Sequence, residues 1–405
     1  MLQLWFISNT LLGQFNAKIG GMKLGLNVVV LMFVGTVWFG RSWKIASGSV
    51  KVLLFFLAYA LFSLGVALNG PCSDLLLKSV LTIPILAFLV LMASQLGRTA
   101  GGMDWLSLQK TAQWCLLVAF LAFIVEMLVP AWFPLQAGYR SEGKFSGLFG
   151  EPSGVAINLF PCIAVLLAAE RKGTRQMGVL ALLGLLVFSR SSTLIALILA
   201  WVVYRLLVQK KFRQAALLAS GIVLVMVIGA AIDYDRFIMP TVERVVGVAA
   251  PSETENISSL VYVQGWQDAW FNLQRSHGLG LGLNMMGCGT LPDVWARSLL
   301  ALGGIELNSE DGSFLFAKIV SEAGVSGIMF YLLAIWWWIQ QERKVRRLGQ
   351  NAIRFALETQ LALIFCFIVS SFIRGSGYFE GGLLLWVAAA SGASKWRRDF
   401  LTQAA

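Results

Sequence analysis

The chain has 405 residues, of which 58% are hydrophobic and only 13% are charged. Soluble domains carry about 25% charged residues, so a chain this apolar is predicted to have lipid as its solvent. The net charge of +11 comes from short basic clusters between apolar runs. That distribution is typical of membrane topology and argues against a nucleic-acid partner.

Helical spans of about 20 apolar residues are predicted along the chain. The predicted fold is an all-α polytopic membrane protein with about twelve transmembrane helices. This count includes two shorter apolar runs, 2–15 and 176–189, and without them the count is ten. The longest run is predicted to begin as a helix outside the membrane or to tilt. The ten stronger predicted spans are 24–40, 50–69, 75–95, 111–130, 153–170, 191–208, 213–232, 313–340, 352–373 and 377–392.

Basic residues cluster on alternate connections between these spans, and the positive-inside rule places those connections in the cytoplasm. Both termini are then cytoplasmic. The chain is predicted to be one integral membrane domain, 1–405, with two outer loops: 131–152 and a large cap or lid, 233–312. The clusters are Arg41/Lys44/Lys51, Arg98/Lys110, Arg171/Lys172/Arg175, Arg205/Lys210/Lys211/Arg213, Arg343/Lys344/Arg346/Arg347/Arg354 and Lys395/Arg397/Arg398.

The five cysteines have no metal-site spacing, and with a single histidine they exclude a familiar zinc site. Three lie inside apolar runs as small hydrophobes. Cys72 and Cys288 fall on predicted outer connections, which leaves a disulfide between them open. No phosphate-binding nucleotide loop is present, so ATP is not expected to drive the protein, and no cofactor is predicted.

Charged residues gather at the predicted outer helix ends, where a charge needs a partner or a function. Arg190 and Arg374 are either interface arginines that lock helix ends or a phosphate clamp, because guanidinium matches phosphate oxygens. Glu151 stands at the start of a helix. Lys318 and Glu322 stand four apart on one helix and are predicted to pair with each other.

Candidates for proton transfer are few. His277 is either structural or a base near neutral pH, and Glu310 and Asp311 could hold a metal or act as a base. Adjacency alone decides neither role.

Three stretches of the outer segments resemble the bacterial O-antigen polymerase (Wzy-type) and O-antigen ligase superfamily. They are Gly-Leu-Phe-Gly-Glu-Pro-Ser at 147–153, Phe-Ser-Arg-Ser at 188–191, and Asn-Ser-Glu-Asp-Gly-Ser at 308–313 followed by Ser-Glu-Ala-Gly-Val-Ser-Gly at 321–327. The Gly-rich run 277–282 is similar to one that many members show in their large loop. The order of these motifs carries the resemblance across most of the chain.

The resemblance implies a membrane fold like that of lipid-dependent (C-type) glycosyltransferases, with a large periplasmic loop, in the bacterial inner membrane. The implied substrates are undecaprenyl-diphosphate-linked glycans, joined into O-antigen or a related exopolysaccharide at the periplasmic face. A hydroxyl of one repeat unit attacks the anomeric carbon of the growing chain, and the lipid diphosphate leaves. A separate chain-length regulator is an implied partner.

The residues fit this chemistry, because preorganised cations stabilise a departing diphosphate. Arg190 with Arg236 or Arg244 is the hypothesised clamp, and Arg140 and Arg374 are its helpers. Glu310, Asp311 or His277 would orient or deprotonate the acceptor. The substrate-contact candidates are Glu151, Tyr139, Trp266 and Trp270, the three aromatic residues stacking on sugar rings.

One departure bears on the activity. Ligases of this superfamily resemble each other in a His-Asn pair at the end of the large loop, where this chain has Asn308 and Ser309. The missing histidine favours a polymerase and leaves the base unassigned. An O-antigen ligase and a lipid-linked oligosaccharide flippase or transporter are the alternatives.

Overall fold

The computed structural model describes residues 1–12, 16–19, 22–41, 45–68, 75–129, 145–288, 298–299, 301–302, 312–349, 352–374, 377–379 and 382–404. At 16–19, 22–24, 38–41, 236–237 and 396–404 it describes the backbone alone. Every run predicted as a span has a helix within it. The predicted all-α class holds with one small exception, an antiparallel hairpin of β1 (Asn16–Ile19) and β2 (Met22–Gly25) in which Asn16 pairs with Gly25.

Two of the helices begin with recognisable N-terminal signals. In the helix at Gly102 the carboxylate of Asp104 accepts a hydrogen bond from the Gly101 amide at 2.7 Å, and the helix at Pro152 starts with proline in its first turn. The helices are α1 Leu2–Leu11, α2 Leu26–Arg41, α3 Ser47–Leu68, α4 Leu76–Thr99, α5 Gly102–Leu128, α6 Pro152–Leu167, α7 Lys172–Ser189, α8 Ser192–Val203 with a π-helical turn Tyr204–Val208, α9 Phe212–Phe237, α10 Met239–Ala249, a 3₁₀ turn Pro251–Glu253, α11 Ile257–Arg275, α12 Leu315–Val345, α13 Ala352–Ile373 and α14 Gly382–Ala404.

Six of the described helices are long and apolar enough to cross a membrane: α3, α4, α5, α9, α12 and α13. Their outward faces carry large apolar side chains, and Phe55, Leu128 and Ile232 are each 75% exposed. Such surfaces suit hydrocarbon, where a helix also satisfies its own backbone. The chain is therefore a predominantly helical, multi-pass membrane protein.

The core of the bundle forms around α13. Within its apolar window 78% of the residues are buried, and it packs against α5, α6, α8, α12 and α14. The packing is largely aromatic and aliphatic, with Trp201, Tyr204 and Phe365 in mutual ring contact. Helix α13 is consequently the element that fixes the relative positions of its neighbours.

Contacts between helix termini define two opposite ends of the bundle. At the loop end, which comprises residues 145–152, 189–192 and 373–374, the Phe145 amide donates to the Phe188 carbonyl at 3.1 Å and Arg374 pairs with Glu151. At the basic end, which comprises residues 167–172, 204–212 and 342–354, a guanidinium nitrogen of Arg205 donates to the Leu167 carbonyl at 2.6 Å. The basic clusters of α7, α8, α12 and α13 belong to this second end.

Several predicted boundaries were wrong. Helix α5 begins at Gly102, nine positions before the predicted start at 111, and α14 continues to Ala404 instead of ending at 392. Charged residues interrupt both extensions, at Asp104 and Lys110 in α5 and at Lys395, Arg397 and Arg398 in α14, although Trp105 and Leu108 of α5 are buried in the core. The predicted span 313–340 corresponds to α12, which is broken at Gly324.

The predicted outer loops are only partly within the described residues. Residues 131–144 lie outside them, as do 289–297, 300 and 303–311. The described part of 233–312 contains α10 and α11, so this segment includes helices.

Candidate functional site

The Gly-rich segment 278–287 packs against the break in α12. Leu281 and Gly282 donate backbone hydrogen bonds to Ser321 and Glu322, at 2.9 and 3.0 Å, and Val325 donates to Gly278 at 2.8 Å. Backbone groups that a helix break releases need other hydrogen-bond partners when they are buried. The segment thereby satisfies carbonyl and amide groups that the helix break releases.

Glycine is required at this junction. Gly280 has φ +85° and Gly324 has φ +60° with ψ −138°, conformations that side chains with a Cβ rarely adopt. A Cβ on Gly280 would overlap the Glu322 carbonyl oxygen, and one on Gly324 would overlap the Gly278 carbonyl oxygen. Glycine at positions 280 and 324 therefore allows the loop backbone to contact the backbone of α12 directly.

Glu322 is the centre of this junction, and its side chain is fully buried. Its carboxylate lies 3.2 Å from the Lys318 ammonium and accepts hydrogen bonds from the Asn284 amide at 2.7 Å and the Met286 amide at 3.2 Å. The Tyr378 hydroxyl donates to it at 2.6 Å. The predicted Lys318–Glu322 pair is confirmed, and a buried charge with this many partners is stable in place.

Tyr378 lies in the turn between α13 and α14. Burial raises the pKa of its hydroxyl well above the ordinary value, and the negative charge of Glu322 adds to the effect. The hydroxyl consequently stays protonated, which is what a donor to a carboxylate requires.

A second layer of hydrogen bonds connects the junction to α3 and α4. The Asn284 side chain donates to the Thr82 hydroxyl at 2.9 Å, and the Leu283 amide donates to the Ser63 hydroxyl at 2.5 Å. Five parts of the chain (α3, α4, α12, the segment 278–287 and the Tyr378 turn) thus meet at one polar centre.

An apolar groove leads away from this centre. It has a volume of about 550 Å³ and lies between α3, α4, α12 and α14. Lys51 and Arg98 line it near the start of α3, and Tyr59 and Tyr378 line it beside Glu322. Along α3, Lys51 and Tyr59 are eight positions apart, or about 12 Å at the helical rise. Phe55, between them, is 75% exposed, so the groove faces the lipid.

Arg190 and Arg244 lie on one part of the loop end. Arg190 ends α7 in the left-handed conformation, with φ +44°. An Arg244 guanidinium nitrogen donates to the Ser192 hydroxyl at 2.6 Å, two positions after Arg190. The Arg244 carbonyl accepts a hydrogen bond from the Ser259 hydroxyl at 3.0 Å, which attaches α10 to α11. Two of the predicted clamp arginines therefore flank one serine turn.

Arg374 forms an ion pair with Glu151 and a hydrogen bond with the Ser153 hydroxyl. The pair connects the C-terminus of α13 to the N-terminus of α6. This geometry favours the interpretation of Arg374 as a lock between helix ends, and the predicted contact of Glu151 with substrate stays a prediction. Both side chains are about 30% exposed, at 28% and 31%.

Glu126, a buried acid within α5, has a structural role at the loop end. Its carboxylate accepts hydrogen bonds from the Ser146 amide at 3.0 Å and the Gly147 amide at 2.7 Å. Beside it the rings of Phe123 and Phe188 stack with centroids 5.5 Å apart. The carboxylate and the rings together hold residues 145–147 against α5 and α7.

Helix α11 has two different faces. Trp266 and Trp270 are 40% and 61% exposed, and the Trp266 ring packs against Phe314 with centroids 5.0 Å apart. Their predicted contact with sugar rings stays a prediction. The other face buries Gln264, Asp268 and Asn272, which recur every fourth residue. Asp268 is only 2% exposed. Sequence reasoning missed this acid, although the four-residue polar spacing on a helix was a readable signal.

The structure describes the remaining predicted site residues to different extents. His277 is exposed, with φ +50°, at the end of α11. Arg236 is described by its backbone alone, at the end of α9. Arg140, Tyr139, Glu310 and Asp311 lie outside the described residues.

A second buried polar cluster lies at the basic end. The Tyr204 hydroxyl donates to Glu342, and the Gln209 side chain donates to the same carboxylate at 3.4 Å. An Arg205 guanidinium nitrogen donates to the Gln209 side-chain oxygen at 2.5 Å. The π-helical turn of Tyr204–Val208 aims these groups at α12, and such turns are frequent at functional positions.

Neither the protein-family models nor the curated proteins gave a match to this chain.

Proposed function

We propose that the chain is a membrane glycosyltransferase that joins undecaprenyl-diphosphate-linked oligosaccharide repeat units into a surface polysaccharide. The observation that carries the proposal is the lipid-facing groove of about 550 Å³ that ends at the Glu322 centre. An apolar groove that is open to the bilayer suits a substrate with a hydrocarbon tail, and a polar centre at its end suits a head group. Polar residues near helix ends also favour an enzyme that works at the membrane surface.

In the proposed reaction an acceptor hydroxyl attacks the anomeric carbon of the growing glycan. The carbon–oxygen bond to the diphosphate breaks, and the diphosphate leaves with the bonding electrons. Arg190 and Arg244, which flank the Ser192 turn, would stabilise that developing negative charge. The hydroxyl proton passes to a general base, for which Glu310, Asp311 and His277 remain the candidates from sequence. The buried Asp268 becomes a further candidate.

The proposal includes a membrane orientation, with about twelve crossings, the basic end in the cytoplasm and the loop end in the periplasm. The arginines and lysines of the basic end support this orientation by the positive-inside rule. Cys288 supports it too, because it is disulfide-bonded and lies beside the Glu322 centre. Disulfides persist in oxidising compartments such as the periplasm.

The first test is deletion of the gene, with surface polysaccharide resolved on a gel. A polymerase predicts loss of the long ladder and retention of a band with the core and one repeat. Loss of every decorated band would contradict the proposal and point to ligation or flipping. An unchanged ladder would also contradict it.

A second test addresses the clamp by complementing the deletion with Arg190→Gln. Lys172→Gln is the matched control, because it removes one positive charge from the other end of the same helix α7. Arg190→Gln should abolish the ladder at an unchanged protein level, and Lys172→Gln should restore it. Equal ladders from the two variants would remove Arg190 from the mechanism.

A third test addresses the groove. Ser326→Trp fills it, because Ser326 lines the groove on α12. Met329→Trp is the control, because Met329 is 47% exposed three positions along and does not line it. Ladder loss confined to Ser326→Trp would support a lipid substrate in the groove, and a full ladder from that variant would contradict it.

A further inference from the structure

A basic pocket lies at the basic end, separate from the groove and from the loop end. Its volume is about 530 Å³, and it lies between the π-helical turn after α8 and the last turns of α12. Lys210, Arg343, Arg346 and Arg347 line it, and no acid is among its lining residues. Four cations around one cavity of this size create a strong attraction for an anion.

The acids nearest to these cations already have other partners. The Glu342 carboxylate accepts hydrogen bonds from Tyr204 and Gln209. Glu358 lies 3.0 Å from the Arg354 side chain and 3.9 Å from Lys211. Among the described residues, neither carboxylate forms a salt bridge with a cation that lines the pocket.

Arg346 gives a more specific indication of a ligand. Its Nε atom is buried and has no hydrogen-bond partner within the described part of the chain. A buried donor without an acceptor is energetically unfavourable. A phosphate oxygen would supply the missing acceptor, because guanidinium and phosphate match in geometry.

The rest of the lining indicates where the ligand comes from. Leu207, Val208 and Ile339 supply an apolar wall, and Leu207 is 74% exposed beside the cations. Trp336, one turn before the pocket on α12, is 60% exposed. Exposed tryptophan and leucine next to arginine are typical of the membrane interface, where head groups and acyl chains meet.

We propose that this pocket binds the phosphate head group of an anionic phospholipid, with the acyl chains against Leu207 and Ile339. Basic pockets between membrane helices on the cytoplasmic side bind such head groups in other proteins. The site would attach the π-helical turn to the end of α12 through the lipid. The cytoplasmic placement is that of the orientation proposed above, but the inference does not depend on the glycosyltransferase activity.

The test is lipid binding to the full chain in detergent, measured by native mass spectrometry with phosphatidylglycerol and with phosphatidylcholine. The parent protein should retain phosphatidylglycerol preferentially. Arg346→Gln should weaken that binding on the order of five-fold, the contribution of one basic residue near an anionic surface. Lys344→Gln is the matched control, because Lys344 belongs to the same basic run but does not line the pocket.

Lys210→Gln is a second pocket variant, placed outside the helices so that helix folding is unaffected. Weaker phosphatidylglycerol binding by both pocket variants and not by the control would establish the site. Equal binding of the two lipids, or an equal loss in Lys344→Gln, would overturn it. Full displacement of the lipid by millimolar inorganic phosphate would overturn the lipid as the ligand and indicate a soluble phosphate instead.

Discussion

Replacing Glu322 by glutamine tests whether the centre at the break of α12 holds the fold together. The substitution removes the negative charge that lies 3.2 Å from the buried Lys318 ammonium and turns an NH₂ group toward the backbone amides of Asn284 or Met286. Removing one partner of a buried ion pair costs about 3–5 kcal/mol. For a chain of this length that loss corresponds to a Tm decrease of roughly 3–6 °C, if unfolding is one transition.

The buried thiols of Cys115, Cys162 and Cys366 provide the assay. A thiol-reactive fluorescent dye reports their exposure as the purified protein is heated in detergent. Glu322→Gln should shift the transition down by several degrees. Glu243→Gln, an exposed acid on α10, should leave it within 1 °C.

The double variant Lys318→Met/Glu322→Gln distinguishes an ion pair from two independent residues. Lys318→Met alone should cost less than Glu322→Gln, because Glu322 keeps its three neutral donors. The double variant should lose less than the sum of the two single losses, since both single variants remove the same Lys318–Glu322 interaction. A Tm for Glu322→Gln within 1 °C of the parent, or additive losses, would refute the reasoning.

Further predictions concern other parts of the chain. Burial lowers the pKa of Lys211 from 10.5 to about 8. The charged, buried Lys211 therefore lowers the free energy of unfolding below pH 8, and this loss disappears as the pH rises to 10.5. The Lys211→Met variant should therefore have a higher free energy of unfolding than the parent at pH 7, by at most about 3 kcal/mol. This difference should shrink between pH 8 and 10.5, and a difference that does not change with pH would contradict the prediction. Gly324→Ala should prevent folding, as judged by size-exclusion chromatography. Gly173→Ala is the control and should fold, because a Cβ at Gly173 faces open space. A monodisperse Gly324→Ala protein would contradict the contact between the loop and α12. Cys288→Ser should abolish the difference between reduced and non-reduced gels, and Cys72→Ser should do the same if it is the partner that the sequence offers.

The sequence was sufficient for the helical character of the chain. Apolar runs located every span-like helix, because hydrocarbon forces a buried backbone into helices. Helix ends were less predictable. Charged residues at the start of α5 and at the end of α14 interrupt the apolar runs, so the run ends before the helix does, and the break at Gly324 depends on a loop some 40 positions earlier in the chain.

The candidate site was predictable where contacts are local. Lys318 and Glu322 are one helical turn apart, so their pairing followed from spacing. The donors from Asn284 and Tyr378 come from distant parts of the chain, and a single sequence contains no signal that brings them to one carboxylate. Asp268 was missed because a helix within a predicted loop was not considered.

The distance along α12 from its break at Gly324 to the buried Glu342 has a consequence for the membrane itself. From Gly324 to Glu342 the helix advances 18 positions, or about 27 Å at 1.5 Å per residue. That length is close to the hydrocarbon thickness of a typical bilayer, about 30 Å. Lipids with much shorter acyl chains would bring head groups against the apolar middle of α12, and the mismatch would be relieved by tilting or by local bilayer deformation. The spacing of two buried structural features thus selects the acyl-chain length that the protein matches best.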